Sequence, residues 1–509
     1  MTKGILFRCL LIWSFSVLFF TFTLYLKKSI AGDDIGLLRE DFKKVCENGF
    51  GDQRNSYAWS MAWFKGRLYV GTVRDYLCIA EFLRSDYPEE GYGNSIVECD
   101  LSPLDAPEEF SAEIWRYTPG IGWDRVYKSP LISVTLKDRK TLVIPREVGY
   151  RGMVVHTDVH GEEALYIGTL SFPGYANILR TTDGISFTPT NPTVPKGPLA
   201  FLGTYSFRNL ISFNGKLYTT PSSIKIGNVL GIVKVFESAE PASGIWQPVS
   251  TGRFGCFENE TVFELTVFNN YLYAGTGNSK TGFQIWKTDA IGNPLYNWEI
   301  VVANGAGRCY KNESPVSMYP FNGYLYIGTG IRQYAKIEEK WLPPPAEIIR
   351  IAPDDSIELV VGEERKVMDT LISPISGYAA GFGNPFTGYI WRMQEYDGWL
   401  YVSTFDTTIF LSGLAKEVKP AFLGDWIFDF IEKEGGFDLW KTKDGVNWTQ
   451  IAKDGFNNKF NYGIRTFAST PLGLFVGTAN PFKDNNLHDS EPIEGGLEIW
   501  LGSFFEPFH

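Results

Sequence analysis

The stretch FKGRLYVGT, Phe64–Thr72, decides the fold because the chain keeps returning to it. Its centre, RLYVGT at 67–72, has counterparts in ALYIGT (164–169), KLYTTP (216–221), YLYAGT (271–276), YLYIGT (324–329), WLYVST (399–404) and GLFVGT (473–478). Most copies follow an apolar run and a turn such as FKG, FNG or YDG. Asn-Gly and Asp-Gly supply the positive φ angles of a two-residue hairpin. A second motif follows each copy, from AEIWRYT (112–118) through FQIWKTD (283–289) and FDLWKTK (437–443) to LEIWLG (497–502). A short strand with an aromatic residue often comes next, as in DGISF (183–187), SGIWQPV (243–249) and DGVNWTQI (444–451). Each unit reads as four strands, A to D. Four-stranded units repeated around an axis predict an all-β, seven-bladed β-propeller over residues 53–509. The seventh unit stops at strand C, so the lead-in at 33–52 is expected to close the ring with a segment around 35–55.

Composition agrees. Aromatic residues make up 16% and there are 52 glycines, which favours strands and turns over helices. A net charge of −11 argues against nucleic-acid binding through phosphate neutralisation. There are four histidines; His156 and His160, four apart in one strand, make a poor metal pair. The sequence implies no cofactor and no metal. The TDG…F and KDG…W turns resemble sialidase-type Asp boxes one residue short, a structural turn in that setting.

The N-terminus reads as a targeting segment, residues 1–32. Lys3 and Arg8 precede the apolar run Cys9–Leu26, 18 residues long, then Lys27, Lys28 and SIAGDD. A cleaved signal and an uncleaved membrane anchor both fit, and either places the body outside the cytoplasm. Cys46, Cys78, Cys99, Cys256 and Cys309 follow Cys9, an odd set whose pairing the sequence leaves open. A Cys256–Cys309 bridge between neighbouring loops is one expectation. Asn259, Asn312 and Asn447 stand in glycosylation sequons in a eukaryotic host.

Strand A should line the channel. Eight residues before each strand-B leucine lie Ser60, Thr157, Asn209, Glu264, Ser317, Arg392 and Thr466, all polar. Period-two logic turns this column toward the axis and the next, led by Met61, between sheets. Glu264 and Arg392 are candidate ligand-binding residues, or partners across a wet channel. Arg74 falls in the B–C loop of unit one, Asp406 in the equivalent place of unit six, and Tyr462 and Arg465 open strand A of unit seven. Ring closure makes these units neighbours. A carboxylate, a guanidinium and a phenol at one mouth have the chemistry of base, anion clamp and proton donor. A structural ion pair is the alternative. Insertions at about 75–110 and 409–434 fall on the same face. The second, carrying Trp426, is a candidate lid over an apolar ligand, or a helix packed on the propeller. Trp59 joins the candidate substrate-binding residues.

YAWSMAWFKGRLYVGTVR, WLYVSTFD and NYGIRTF…GLFVGTANPF resemble the propeller of the cylindrocyclophane-forming Friedel–Crafts alkylating enzymes of cyanobacteria. That resemblance implies C-alkylation of a phenol by an alkyl halide, with an aromatic or lipid-like substrate. It implies that Asp406 takes the phenolic proton and that Arg74 and Tyr462 act on the departing halide. The family's calcium-binding Gly-Gly-x-Gly-x-Asp repeats have no counterpart here. The other reading is a non-catalytic propeller that binds a protein, glycan or other ligand at the cell surface. Convergence of Arg74, Asp406 and Tyr462 on one enclosed pocket favours the enzyme; separate ion pairs disfavour it.

Overall fold

A computed structural model describes residues 35–46, 48–85, 97, 99–135, 141–172, 175–190, 204–223, 233–331, 344–367, 370–412, 421–483 and 494–504. The chain divides into two units, 1–38 and 39–509. The targeting segment at 1–32 lies outside the described residues. Among those described, no helix is long and apolar enough to cross a membrane.

The second unit is mostly β. Its strands pair as antiparallel four-stranded arrays, each built on one repeat. In the first, Asn55–Phe64 pairs with Arg67–Arg74, which pairs with Glu113–Thr118, which pairs with Gly122–Lys128. The same order is seen from Thr387–Tyr396 through Trp399–Asp406 and Leu439–Thr442 to Trp448–Ala452. The last array runs Gly463–Thr470, Gly473–Ala479, Ile499–Gly502, and its fourth strand is Phe42–Cys46, opposite Ile499–Gly502. Short pairings stitch one array to the next: Val73 to Gly149, Leu170 to Ser206, Gly330 to Tyr389, Phe405 to Gly463, and Ala479 back to Tyr57. Thr261–Phe268 packs between Thr204–Phe213 and Ser314–Phe321 without such a pairing, and the inner strands form a closed circuit.

Two side-chain devices explain why the motif repeats. The first is the central tyrosine of "YLY". Tyr69 and Tyr326 are fully buried, and each reaches the Asp-Gly turn of the next array. A Cβ on Gly184 would stand 1.8 Å from the Tyr69 hydroxyl, and one on Gly445 1.7 Å from that of Tyr326. Those glycines also hold φ of +70° and +77°. Asp183 and Asp444 shape the turns by accepting from backbone N–H groups, Asp183 from Ile185 and Ser186 at 2.8 Å each.

The second device sits at the entrance to strand A. Asn55, Asn259, Asn312 and Asn461 are fully buried. Each donates to the carbonyl of a preceding tight turn and to the residue that opens strand C. Asn461 donates to Gly455 O at 2.9 Å and Glu498 Oε2 at 2.8 Å; Asn259 donates to Arg253 O at 3.0 Å and Gln284 Oε1 at 2.8 Å. The turn also holds an aromatic residue against the "IW" tryptophan, Phe50 on Trp115 at 4.5 Å and Phe382 on Trp440 at 4.3 Å. These stacks add about 0.5–1.5 kcal/mol each beyond burial. The same geometry corrects the sequon expectation: Asn259 and Asn312 have no exposure, whereas Asn447 is exposed.

Cys78 and Cys99 form a disulfide, with Cα atoms 5.6 Å apart. Cys256 and Cys309 are free thiols, so the expected bridge between them is absent. Gly445→Ala should lower unfolding free energy by about 2–4 kcal/mol, since the methyl meets both a positive φ and the Tyr326 hydroxyl; chemical denaturation of variant and parent measures it.

Candidate functional site

Among the described residues, each of the three residues assigned to the mouth is buried against protein partners of its own. Arg74 is 1% exposed, with its guanidinium taken up by Asp52 Oδ2 at 2.7 Å, the Glu109 carbonyl at 2.6 Å and the Glu109 carboxylate at 3.5 Å. Glu113 lies 3.8 Å from its Nη1. Arg74 thus sits in a carboxylate cluster around the start of the first insertion, the structural ion pair that was the alternative to an anion clamp, with its buried Nη1 lacking a hydrogen-bond partner among the described residues. Asp406 is 1% exposed. It accepts from the Thr408 backbone N–H and hydroxyl, both at 3.0 Å, which shapes the turn after its strand. Burial holds its carboxyl well above the usual range, and the Asp438 charge adds to this. Its link to Tyr462 is through backbone, Asp406 N–H to Tyr462 O at 2.7 Å.

Tyr462 shares a hydrogen bond with the Tyr57 hydroxyl, and burial pushes both phenols well up. Around them lie Trp391, Phe405, Phe410 and Phe482. Tyr76 packs on Tyr57 and Trp59. It opens helix α1, Tyr76–Ser85. Ile427 and Ile431 of helix α2, Ala421–Glu434, are buried in the same cluster. The insertions therefore pack an apolar plug across the mouth. Trp426 of α2 is 64% exposed and stacks on Phe430, apart from the buried Ile427 and Ile431.

The channel behind this plug holds the other candidates. Each strand A carries a β-bulge at one equivalent place, adding one residue to the ladder. The additions are Trp59, Arg151, Arg208, Phe263, Val316, Trp391 and Arg465. Bulges re-aim side chains and gather at functional sites. Here Trp59, Arg151, Arg208 and Arg465 line a cavity of about 240 Å³ together with the next residues along, Ser60, Gly152, Asn209, Glu264, Ser317, Arg392 and Thr466. The rings and cations interleave. Arg465 lies 5.6 Å from Trp391 and 5.8 Å from Trp59, Arg151 lies 5.3 Å from Trp59, and Arg208 lies 3.7 Å from Phe263.

Of the sequence candidates, Glu264 and Arg392 pair at 3.0 Å, and Arg465 and Trp59 stand in the same wall. Thr157 does not; it is exposed, and Gly152 takes its place. The second hairpin turns through Asp158–Glu162 rather than two residues, so a fixed count back from the leucine falls short of the channel column and stops at the strand end, Thr157. Arg151 and Arg208 were missed. Their signal was an arginine just before the channel column, shared with Arg465, which a strict period of two hides behind the bulge.

No family model matches the chain, and no curated protein matches it. Among solved structures it is similar to a puromycin-hydrolyzing peptidase of Mycobacterium tuberculosis, at 11% identity and a TM-score of 0.41 over 85% of this chain and 52% of that one. It is similar to the acylaminoacyl peptidase of Pyrococcus horikoshii at 9% identity and a TM-score of 0.37, over 84% of this chain and 50% of that one. A Trypanosoma rangeli sialidase in complex with sialic acid matches at 12% identity and a TM-score of 0.33, over 69% of this chain and 52% of the sialidase. The chain spans about half the length of each.

Asp438, beside Asp406 in the wall of the sixth array, gives the region a pH signature. Burial pushes its carboxyl from 3.8 to about 6. The folded state then holds a proton that the unfolded chain releases, so this contribution is present below pH 3.8 and is lost as pH rises through 6. The loss amounts to about 3 kcal/mol. Asp438→Asn should flatten the wild-type decline in unfolding free energy between pH 4 and 7, measured by denaturant titration.

Proposed function

We propose that the chain is a seven-bladed β-propeller that binds a small ligand in its central channel, in a secreted or membrane-anchored setting outside the cytoplasm. The blade count is supported by the recurrence of one four-stranded array and by the return of Ala479 to Tyr57. The setting is supported by the N-terminal apolar run and by the Cys78–Cys99 bridge, which suits an oxidising compartment.

The single observation that carries the binding reading is the bulge ring. It turns aromatic and charged side chains into one cavity, away from the packed mouth. A concave site with convergent polar groups is where a small-molecule ligand is held and oriented. The alkylation implied by the family resemblance would require Arg74, Asp406 and Tyr462 at one void. Arg74 is instead held by Asp52 and Glu109, Asp406 by Thr408, and Tyr462 by Tyr57.

Tryptophan fluorescence tests this, because Trp59 stands in the cavity wall. The purified chain is titrated with small organic acids, phosphates, sugars and resorcinols. The expected result is a saturable signal for at least one compound, reduced in Trp59→Phe, with affinity within about twofold in Asp406→Asn. Formation of a C-alkylated product from an alkylresorcinol and a secondary alkyl chloride by the parent, lost in Asp406→Asn, would overturn it.

A further inference from the structure

We infer that the channel is an anion receptor whose ligand is a compact dianion, gripped by Arg151, Arg208, Arg392 and Arg465. The inference rests on the channel being the binding site and adds the charge class of its occupant.

The cavity wall carries those four guanidinium groups and a single carboxylate, Glu264. Glu264 accepts from Arg392 Nη1 at 3.0 Å, and Arg392 is further held by the carbonyls of Arg465 at 3.3 Å and Val316 at 3.4 Å. One ion pair therefore leaves three cations facing the same space. The Arg208 and Arg465 guanidinium groups hold no hydrogen bond or ion pair among the described residues; their described contacts are with aromatic faces. Arg465 is 4% exposed. Arg151 has one long contact, Nη1 to Ser206 Oγ at 3.3 Å, and its buried Nε has no partner.

This is an expensive arrangement in a chain whose net charge is −11. Buried charges are ordinarily paired, because desolvation is otherwise uncompensated. Burial draws the Arg208 and Arg465 guanidiniums well below their ordinary range, and the neighbouring arginines add to it while Glu264 opposes it. The missing element is negative charge with several acceptor atoms. A guanidinium fork meets a carboxylate or a tetrahedral oxyanion through parallel N–H donors, and a dianion can satisfy more than one fork. The rings hold the forks in place: Arg465 lies between Trp59 and Trp391, and Arg208 over Phe263. Glu264 acts as a tethered stand-in, occupying Arg392 until a ligand arrives.

Isothermal calorimetry on the full chain at low ionic strength tests this with inorganic phosphate, sulfate and succinate, the last separating a carboxylate ligand from a tetrahedral one. Chloride is the monovalent control. At least one dianion should bind one-to-one, about tenfold more tightly than chloride, and weaken about tenfold in Arg208→Met and Arg465→Met. Glu264→Gln removes the internal competitor and should tighten binding about threefold. Arg125→Met, outside the channel, should change nothing. The inference is overturned if no dianion gives heat with either the parent or Glu264→Gln, or if Arg208→Met and Arg465→Met titrate like the parent. A sugar or resorcinol that moves the Trp59 signal while all dianions fail would leave the binding site standing and remove only its charge class.

Discussion

The pairing of Phe42–Cys46 with Ile499–Gly502 is the constraint on which the rest depends. It completes the last array with a strand from near the other end of the chain. The inner strands then meet as a closed circuit, Gly463–Thr470 beside Asn55–Phe64. Radial repetition of this kind leaves only the short outer strand of each array as an edge. It also forces the first and last arrays together, so Tyr57 and Tyr462, 405 positions apart, share a hydrogen bond. The buried asparagines and the Phe–Trp stacks fix where each inner strand begins, and so set the height at which every bulge falls.

Within that frame the two ends of the inner strands do opposite things. Near the mouth, aromatic rings and two helices exclude water and leave Asp406 and Tyr462 packed. One bulge further along, the wall becomes cationic. Arg465 belongs to both zones, its guanidinium between tryptophans of the plug and its charge toward the cavity. Cation–π contact offsets part of the desolvation cost, but a ring quadrupole is a weak substitute for a carboxylate.

The repeat was legible in the sequence because hairpin chemistry is local: Asn-Gly or Asp-Gly, flanked by alternating apolar residues, specifies its own turn. Glu264 and Arg392 were legible by the same periodicity. Arg151 and Arg208 were not, since a bulge adds one residue and breaks the period at the place where the wall is built. Thr157 failed because one turn is longer than its siblings. The partners of Arg74 were not legible, since Asp52 and Glu109 lie 22 and 35 positions away, and nothing local announces that they will enclose it. Asn259 and Asn312 looked like surface acceptors because a sequon records residue types and not burial.

The bulges also bear on how such a protein can diverge. An unbulged inner strand alternates its side chains between the axis and its neighbours, so a new axial residue must be chosen against the packing beside it. In four of the arrays the bulge gives two consecutive positions in the cavity wall, Trp59 and Ser60, Arg151 and Gly152, Arg208 and Asn209, Arg465 and Thr466, one of each pair outside the hydrogen-bonded register. Substitutions there are nearly uncoupled from the ladder. The scaffold can hold its inheritance fixed while the lining is rewritten, so chains with the same arrays can carry linings with little in common.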